Sequence, residues 1–268
     1  MLDLFNTSPA NTNCQEFYGG GTTRDWVKPR GASMVRFMLI GAGGAGSNGT
    51  ASLGGGGGGS GSVTSWIGPA IFIPDVLRIT VGAGGTSGVN GTASSVIYQA
   101  KDGTGYTLLT ANGGNNGVAS TTAGGAGGIA MTNNAFGASG IFTSIAGQDG
   151  ALGSATGVGE NQSASATTFL SGGAGGAGAA ASVGGLVSPN YAYRSIPTTP
   201  AGGTVPGGDG YFITQPILVG CGGAGGTTST VAGTAGGRGG IGCGGGGSGE
   251  DGNAGGRGGD GAVFIWAW

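Results

Sequence analysis

Glycine recurs at every third position through much of this chain. Gly233, Gly236, Gly239, Gly242 and Gly245 form one run, Gly252, Gly255, Gly258 and Gly261 another, and Gly82, Gly85, Gly88 and Gly91 a third. Shorter runs with the same spacing are Gly172, Gly175, Gly178 and Gly220, Gly223, Gly226. A period of three belongs to the left-handed extended helix with three residues per turn, in which every third residue points the same way. That helix has no internal hydrogen bonds, so its N–H and C=O groups must pair with neighbouring segments once water is excluded. The spacing therefore predicts a bundle. Glycine at the repeating position lets the backbones approach closely enough to bond.

Gly supplies 72 of the 268 residues and charged residues only 7%, which fits neither an ordinary globular domain nor a charged disordered tail. Each ordered glycine costs ~0.5–1 kcal/mol relative to alanine, so the sum is on the order of tens of kcal/mol. Only dense hydrogen bonding, a strand-built core or oligomerisation offsets it. A flexible linker is the first alternative. Against it stand apolar, β-branched runs at 34–40, 76–81, 213–219 and 262–268, which read as buried strands. Collagen fails because no repeat runs long and proline numbers only nine. The expected fold is all-β and irregular, with short strands framing a bundle of polyglycine II helices and almost no α-helix.

Strands run directly into glycine at MLIGAGG (38–44), ITVGAGG (79–85) and LVGCGG (218–223), and the chain closes on DGAVFIWAW (260–268). Residues 1–21 lack the strand and rod pattern and read as an N-terminal arm, with the glycine-rich domain spanning 22–268. Two less repetitive stretches, 129–145 and 186–200, read as loops between rods. Trp26, Trp66, Trp266 and Trp268 flank or occupy strands and are assigned to the core.

The same composition excludes several functions. A net charge of −2 with nine basic residues leaves no footprint for nucleic acid. No apolar stretch reaches the roughly 20 residues that span a bilayer, so no membrane insertion is expected, and residues 1–13 lack the pattern of a secretion signal. Histidine is absent, which removes the usual base for a serine or cysteine nucleophile and any mixed zinc site. Three cysteines are too few for a disulfide framework; Cys221 and Cys243 share a GCGG context and read as packed free thiols, with pairing left open. Gly41, Gly43 and Gly46 spell the dinucleotide fingerprint after a strand, but no helix can open in SNGTASLGGGGGGSG, and the first acid downstream is Asp75. No cofactor and no catalysis are expected. Asp149, Glu160, Glu250 and Asp251 read as solvated loop charges. The EDGNAGGRGGDG stretch lacks the nine-residue period of calcium repeats and reads as a rod carrying Arg257 and Asp260, paired across the bundle.

What remains is binding. Asn133, Asn134, Phe136, Asn190, Tyr191, Tyr193 and Arg194 in the two irregular loops offer flat or forked hydrogen-bonding faces suited to carbohydrate or protein surfaces. The alternative is that the aromatic residues among them cover the ends of the bundle.

The order Trp26-Val27-Lys28-Pro29, the strand 34–40, GAGGAG, and the terminal DGAVFIWAW resembles the glycine-rich domain common in bacteriophage tail and fibre proteins, over roughly residues 22–268. More loosely, by composition and period, it is similar to the polyglycine-rod adhesins at the tips of long tail fibres. The resemblance implies a virion protein, assembled in the host cytoplasm without a signal peptide. Its arm attaches to other virion proteins, and its variable loops meet a host envelope glycan or outer-membrane protein. Fibre symmetry suggests a homo-trimer. The second reading is a capsid or fibre decoration protein without a receptor. An ice-binding protein or a bacterial glycine-rich surface protein is a lesser alternative, since the first needs a flat Thr or Ala face and the second an export route.

Overall fold

The structure is a computed structural model that describes residues 13–119, 123–163, 169–178, 182–188, 206–213, 219–228, 233–251 and 254–268. Among these the long strands are β1 (Asn13–Phe17), β2 (Thr23–Val27), β3 (Met34–Ile40), β4 (Val63–Pro69), β5 (Val76–Thr80), β6 (Ser94–Gln99), β7 (Gly105–Ala111) and β8 (Ile141–Ile145). Four two-residue strands follow, β9 (Gln162–Ser163), β10 (Val187–Ser188), β11 (Phe212–Ile213) and β12 (Val219–Gly220), and β13 (Ala262–Ala267) closes the chain. Among the described residues helix is confined to single 3-10 turns at Ala70–Phe72 and Gly137–Ser139. The molecule is nearly all β and irregular, as its sequence predicts.

Two antiparallel sheets, ordered β1-β13-β3-β4-β8 and β2-β5-β6-β7, face each other. Period-two alternation explains their contact. Val35, Phe37 and Leu39 point from β3 into a core shared with Trp26, Leu77, Ile79, Val96 and Leu109 of the second sheet, and Trp66, Val263 and Ile265 join them. Met38 and Ile40 point the other way, into a second cluster with Val63, Ala262, Phe264, Leu170 and Cys243. The five-stranded sheet is thus covered on both faces. Trp26 meets Phe37 edge-on at 5.7 Å, and both are buried. Gly68 and Gly140 make room for the Trp66 indole, since a Cβ on either would lie 2.4 Å or 2.7 Å from its ring. Trp266 and Trp268, by contrast, are only partly buried: Trp266 packs beside the second cluster, with the Arg36 guanidinium 5.3 Å above its ring.

Beyond the strand ends the chain continues as glycine segments whose backbone bonds repeat every three residues. In residues 54–62, Gly55, Gly58 and Gly61 donate to the carbonyls of Ser248, Gly245 and Gly242. Gly56, Gly59 and Ser62 donate to Val118, Asn115 and Asn112, and Gly54, Gly57 and Ser60 to Ser154, Ala151 and Gln148. The carbonyls of the same segment accept from three further neighbours: from Gly41, Gly44 and Ser47, from Gly125 and Gly128, and from Gly173 and Gly176. Residues 54–62 are buried throughout, and neighbouring segments surround them on all sides. Every backbone donor in 54–62 therefore has a partner without a strand or helix ladder.

Several sequence expectations need correction. Residues 1–21 contain β1, which pairs along its length with β13 and buries Phe17, because alternation in so polar a strand is hard to see. Residues 129–145 contain β8, an edge strand on β4 rather than loop throughout. The run Gly82 to Gly91 is not one rod: Ser87 (φ 30°) and Gly88 (φ 76°) turn the chain, closed by Val89 N–H donating to Thr86. Likewise Gly242 (φ 71°) divides Gly233 to Gly245, so that 233–240 and 243–250 fold back on each other. Of the strand expected at 213–219, residues 214–218 lie outside those described.

Candidate binding surface

The sheet register fixes which loops share an end of the domain. β4 leaves the bundle at Val63, opposite Ile40 and Ile145, and reaches its far end at Pro69, opposite Met34. Asn13, Ala267 and Val35 lie in register at that same far end. The first described residue, the C-terminal Trp268 and the 133–140 loop thus gather at the sandwich end. At the other end the segments turn at 48–53, beyond Ser154 and near Asp251. There Thr50 and Leu53 bridge, and Asp251 N–H donates to the Thr50 carbonyl. Nine extended residues, at roughly 3.1 Å each, hold these turns on the order of 28 Å from the strands.

The sequence-derived site residues fall at the sandwich end or outside the description. Asn133 is exposed. Asn134 is half-buried, and its Oδ1 accepts the Phe136 N–H at 2.9 Å. Phe136 lies tilted against Trp66 at 4.5 Å and stacks on Phe37 at 6.4 Å, so the ring covers the core. Asn190, Tyr191, Tyr193 and Arg194 lie outside the described residues. The loop at 129–145 is therefore distant from the bundle turns. Exposed residues at those turns include Asn48, Thr50, Ser52, Thr156, Asp251 and the apolar Val158, without the aromatic signal that sequence reasoning follows.

Polar side chains on the flanks complete bonds where no described backbone segment supplies the acceptor. Asp149 Oδ1 accepts Gly127 N–H (2.7 Å), Glu160 Oε2 accepts Leu152 N–H (2.8 Å), and Asp209 Oδ1 accepts Arg238 N–H (2.8 Å). Asn48, Asn90 and Asn161 do the same through their side-chain oxygens. Asp149 and Glu160 are thus not simply solvated charges. Arg257 pairs with Asp260, whose Oδ1 also accepts Gly84 N–H at 2.8 Å. That ion pair runs along one segment, not across the bundle, because residues three apart share a face when the period is three.

A cleft of about 330 Å³ opens on the flank where the bundle meets the five-stranded sheet, lined by Tyr211, Phe212, Arg238, Ile241, Arg257 and Asp260. Its lining also includes Gly239, Gly240, Gly258 and Gly259, which leave peptide surface without side chains. Arg238 is exposed, and among the described residues its guanidinium has no carboxylate partner. The Arg257 Nε is buried without an acceptor.

The cysteines are free, with Cys221 and Cys243 buried and Cys14 on the outermost strand. Burial pushes the Cys221 thiol up to about 11 and the Cys243 thiol well above its ordinary value. Gly43 and Gly46, in the apparent dinucleotide fingerprint, face backbone: a Cβ there would lie 1.9 Å from the Cys243 carbonyl oxygen and 2.0 Å from that of Gly246. Packing accounts for that motif. Among the described residues no group of acidic or cysteine side chains is arranged to hold a metal ion.

Residues 18–268 match a family model described as a glycine-rich domain. No curated protein matches the chain.

Proposed function

The chain belongs to the glycine-rich domain family, and from that premise we propose that it is a bacteriophage virion structural protein, a tail-fibre or tail-tip adhesin. The sandwich end, where β1 enters the sheet, joins the particle, and the tip of its glycine bundle meets the host envelope. The observation that carries this reading is the separation of ends: β1 and Trp268 stand at the sandwich end, while the bundle turns stand at the other. An adhesin needs that polarity, with a rigid spacer between anchor and contact.

On this reading the glycine segments are polyglycine II helices. The threefold hydrogen bonding of residues 54–62 and their enclosure by neighbouring segments support it. Backbone NMR shifts giving φ near about −75° and ψ near about +145° through 54–62 are the expected result. Shifts of an ordinary strand would refute it. The host-facing residues become Asn48, Thr50, Ser52, Thr156, Val158 and Asp251, in place of the Asn133 loop.

Immunogold electron microscopy of particles tests the proposal. Gold at fibre or tail tips is the expected result. Gold spread over capsids would instead support the decoration protein, and particles free of gold would remove the virion reading altogether.

A further inference from the structure

We propose that the flank cleft binds a monosaccharide carrying one negative charge, a carboxylate or a phosphate, at the junction of bundle and sheet. The inference rests on the adhesin reading and adds to it a second contact, on the flank of the bundle and apart from the turns at its tip. Its volume of about 330 Å³ lies at the lower end of the roughly 300–1,000 Å³ typical of small-ligand sites. The lining residues Gly239, Gly240, Gly258 and Gly259 present peptide edges to the cleft, while the positions a Cβ would occupy are taken by neighbouring backbone. Tyr211 and Phe212 contribute apolar ring surface of the kind that the C–H face of a sugar covers.

Charge selects the ligand. Two guanidiniums and one carboxylate line the cleft, an excess of positive charge on a chain whose net charge is −2. Asp260 is already engaged by Arg257 and by Gly84 N–H, which leaves the Arg238 fork without a carboxylate among the described residues. Arg257, whose side chain is 36% exposed, adds a second guanidinium to the lining. Guanidinium forks match carboxylate and phosphate oxygens in pairs.

The test is NMR titration of the full chain with methyl β-D-glucuronide, glucose 6-phosphate, methyl β-D-glucoside and inorganic phosphate. Saturable shifts at Tyr211, Arg238 and Gly258 with either anionic sugar are expected, and the two arms decide between carboxylate and phosphate. Arg238→Gln should weaken that binding about tenfold or more, the loss of one charge-assisted bond pair. The side chain is exposed and the fold's hydrogen bonds to this residue run through its backbone N–H and C=O, so the variant should fold, whereas Arg24→Gln on β2 should leave binding unchanged. Arg257→Lys retains the charge but loses the fork, and should weaken binding without unfolding the bundle. Equal binding of the neutral glucoside, equal binding of inorganic phosphate alone, or no saturable shift would each overturn the proposal. Retention of purified protein on isolated host envelopes separates the two readings. Native protein retained as well as Arg238→Gln, with no sugar bound, sinks the cleft and leaves the adhesin; sugar bound without envelope retention does the reverse.

Discussion

Replacing Gly58 by alanine should damage this fold far more than the same change at Gly157. A Cβ on Gly58 would lie 2.2 Å from the Gly44 carbonyl oxygen and 2.5 Å from that of Ala45, both backbone atoms that cannot rotate away. The 41–47 segment would have to retreat by roughly 1 Å to reach ordinary carbon–oxygen contact. That segment is tied to 54–62 by Gly41, Gly44 and Ser47 donating to Ser62, Gly59 and Gly56, so the displacement strains three bonds together. At about 1 kcal/mol each, and more where a buried group is left unpaired, the loss is roughly 3–5 kcal/mol. For a domain of this size that lowers Tm by roughly 6–20 °C. Gly157 has open space around its Cβ position and no positive φ, so alanine there should change stability by less than about 1 kcal/mol, in the stabilising direction. Thermal and urea unfolding followed by tryptophan fluorescence measures both variants. Equal melting of the two would refute the claim that backbone contact, and not composition, places glycine in the bundle.

Ser60→Ala should cost about 1–3 kcal/mol in urea unfolding, because Ser60 is fully buried and its Oγ accepts Gln148 N–H at 2.7 Å. Phe136→Ala should destabilise by roughly 1–3 kcal/mol and alter Trp66 fluorescence, while Asn133→Ala stays within about 0.5 kcal/mol, as a covering ring beside an exposed amide requires. Thiol titration of native protein at pH 8 should label Cys14 alone, with Cys221 and Cys243 reacting only on unfolding. The folded Cys221 thiol holds its proton more tightly than the unfolded one. Its contribution is therefore complete below about pH 9 and is lost as pH rises through about 11, which stability curves at pH 8, 9.5 and 11 would detect.

The strands with long apolar runs were legible in the sequence: β3, β5 and β13 occupy the expected stretches, and Trp26 and Trp66 are core residues. β1 was not, because NCQEF offers one buried side chain and owes its place to the edge of β13. The period of three named the bonding pattern but not where each segment ends. Gly88 and Gly242 sit in register with their runs and yet take a positive φ, and glycine serves rod and turn equally well. The 133–140 loop drew attention through Phe136, whose ring covers the core at Trp66, the alternative that the sequence reading leaves open for it. The cleft was invisible because Tyr211, Arg238 and Arg257 come from three segments that only the bundle brings together.

A bundle built this way separates stability from surface chemistry. Most of its interior bonds run from peptide to peptide, with buried hydroxyls such as those of Ser47, Ser60 and Ser248 completing others, so they specify glycine where backbones touch. At the periphery the same geometry leaves donors without a neighbouring segment, and Asp149, Glu160, Asp209 and three asparagines supply the missing acceptors. A polar residue on the flank is therefore first a substitute for an absent backbone. The Arg238 guanidinium and the Arg257 Nε are donors, so they cannot act as such substitutes for a backbone N–H. They meet at one cleft beside bare peptide surface, so on the proposed reading that flank and the distal turns are where a substitution changes the surface without changing how the chain folds.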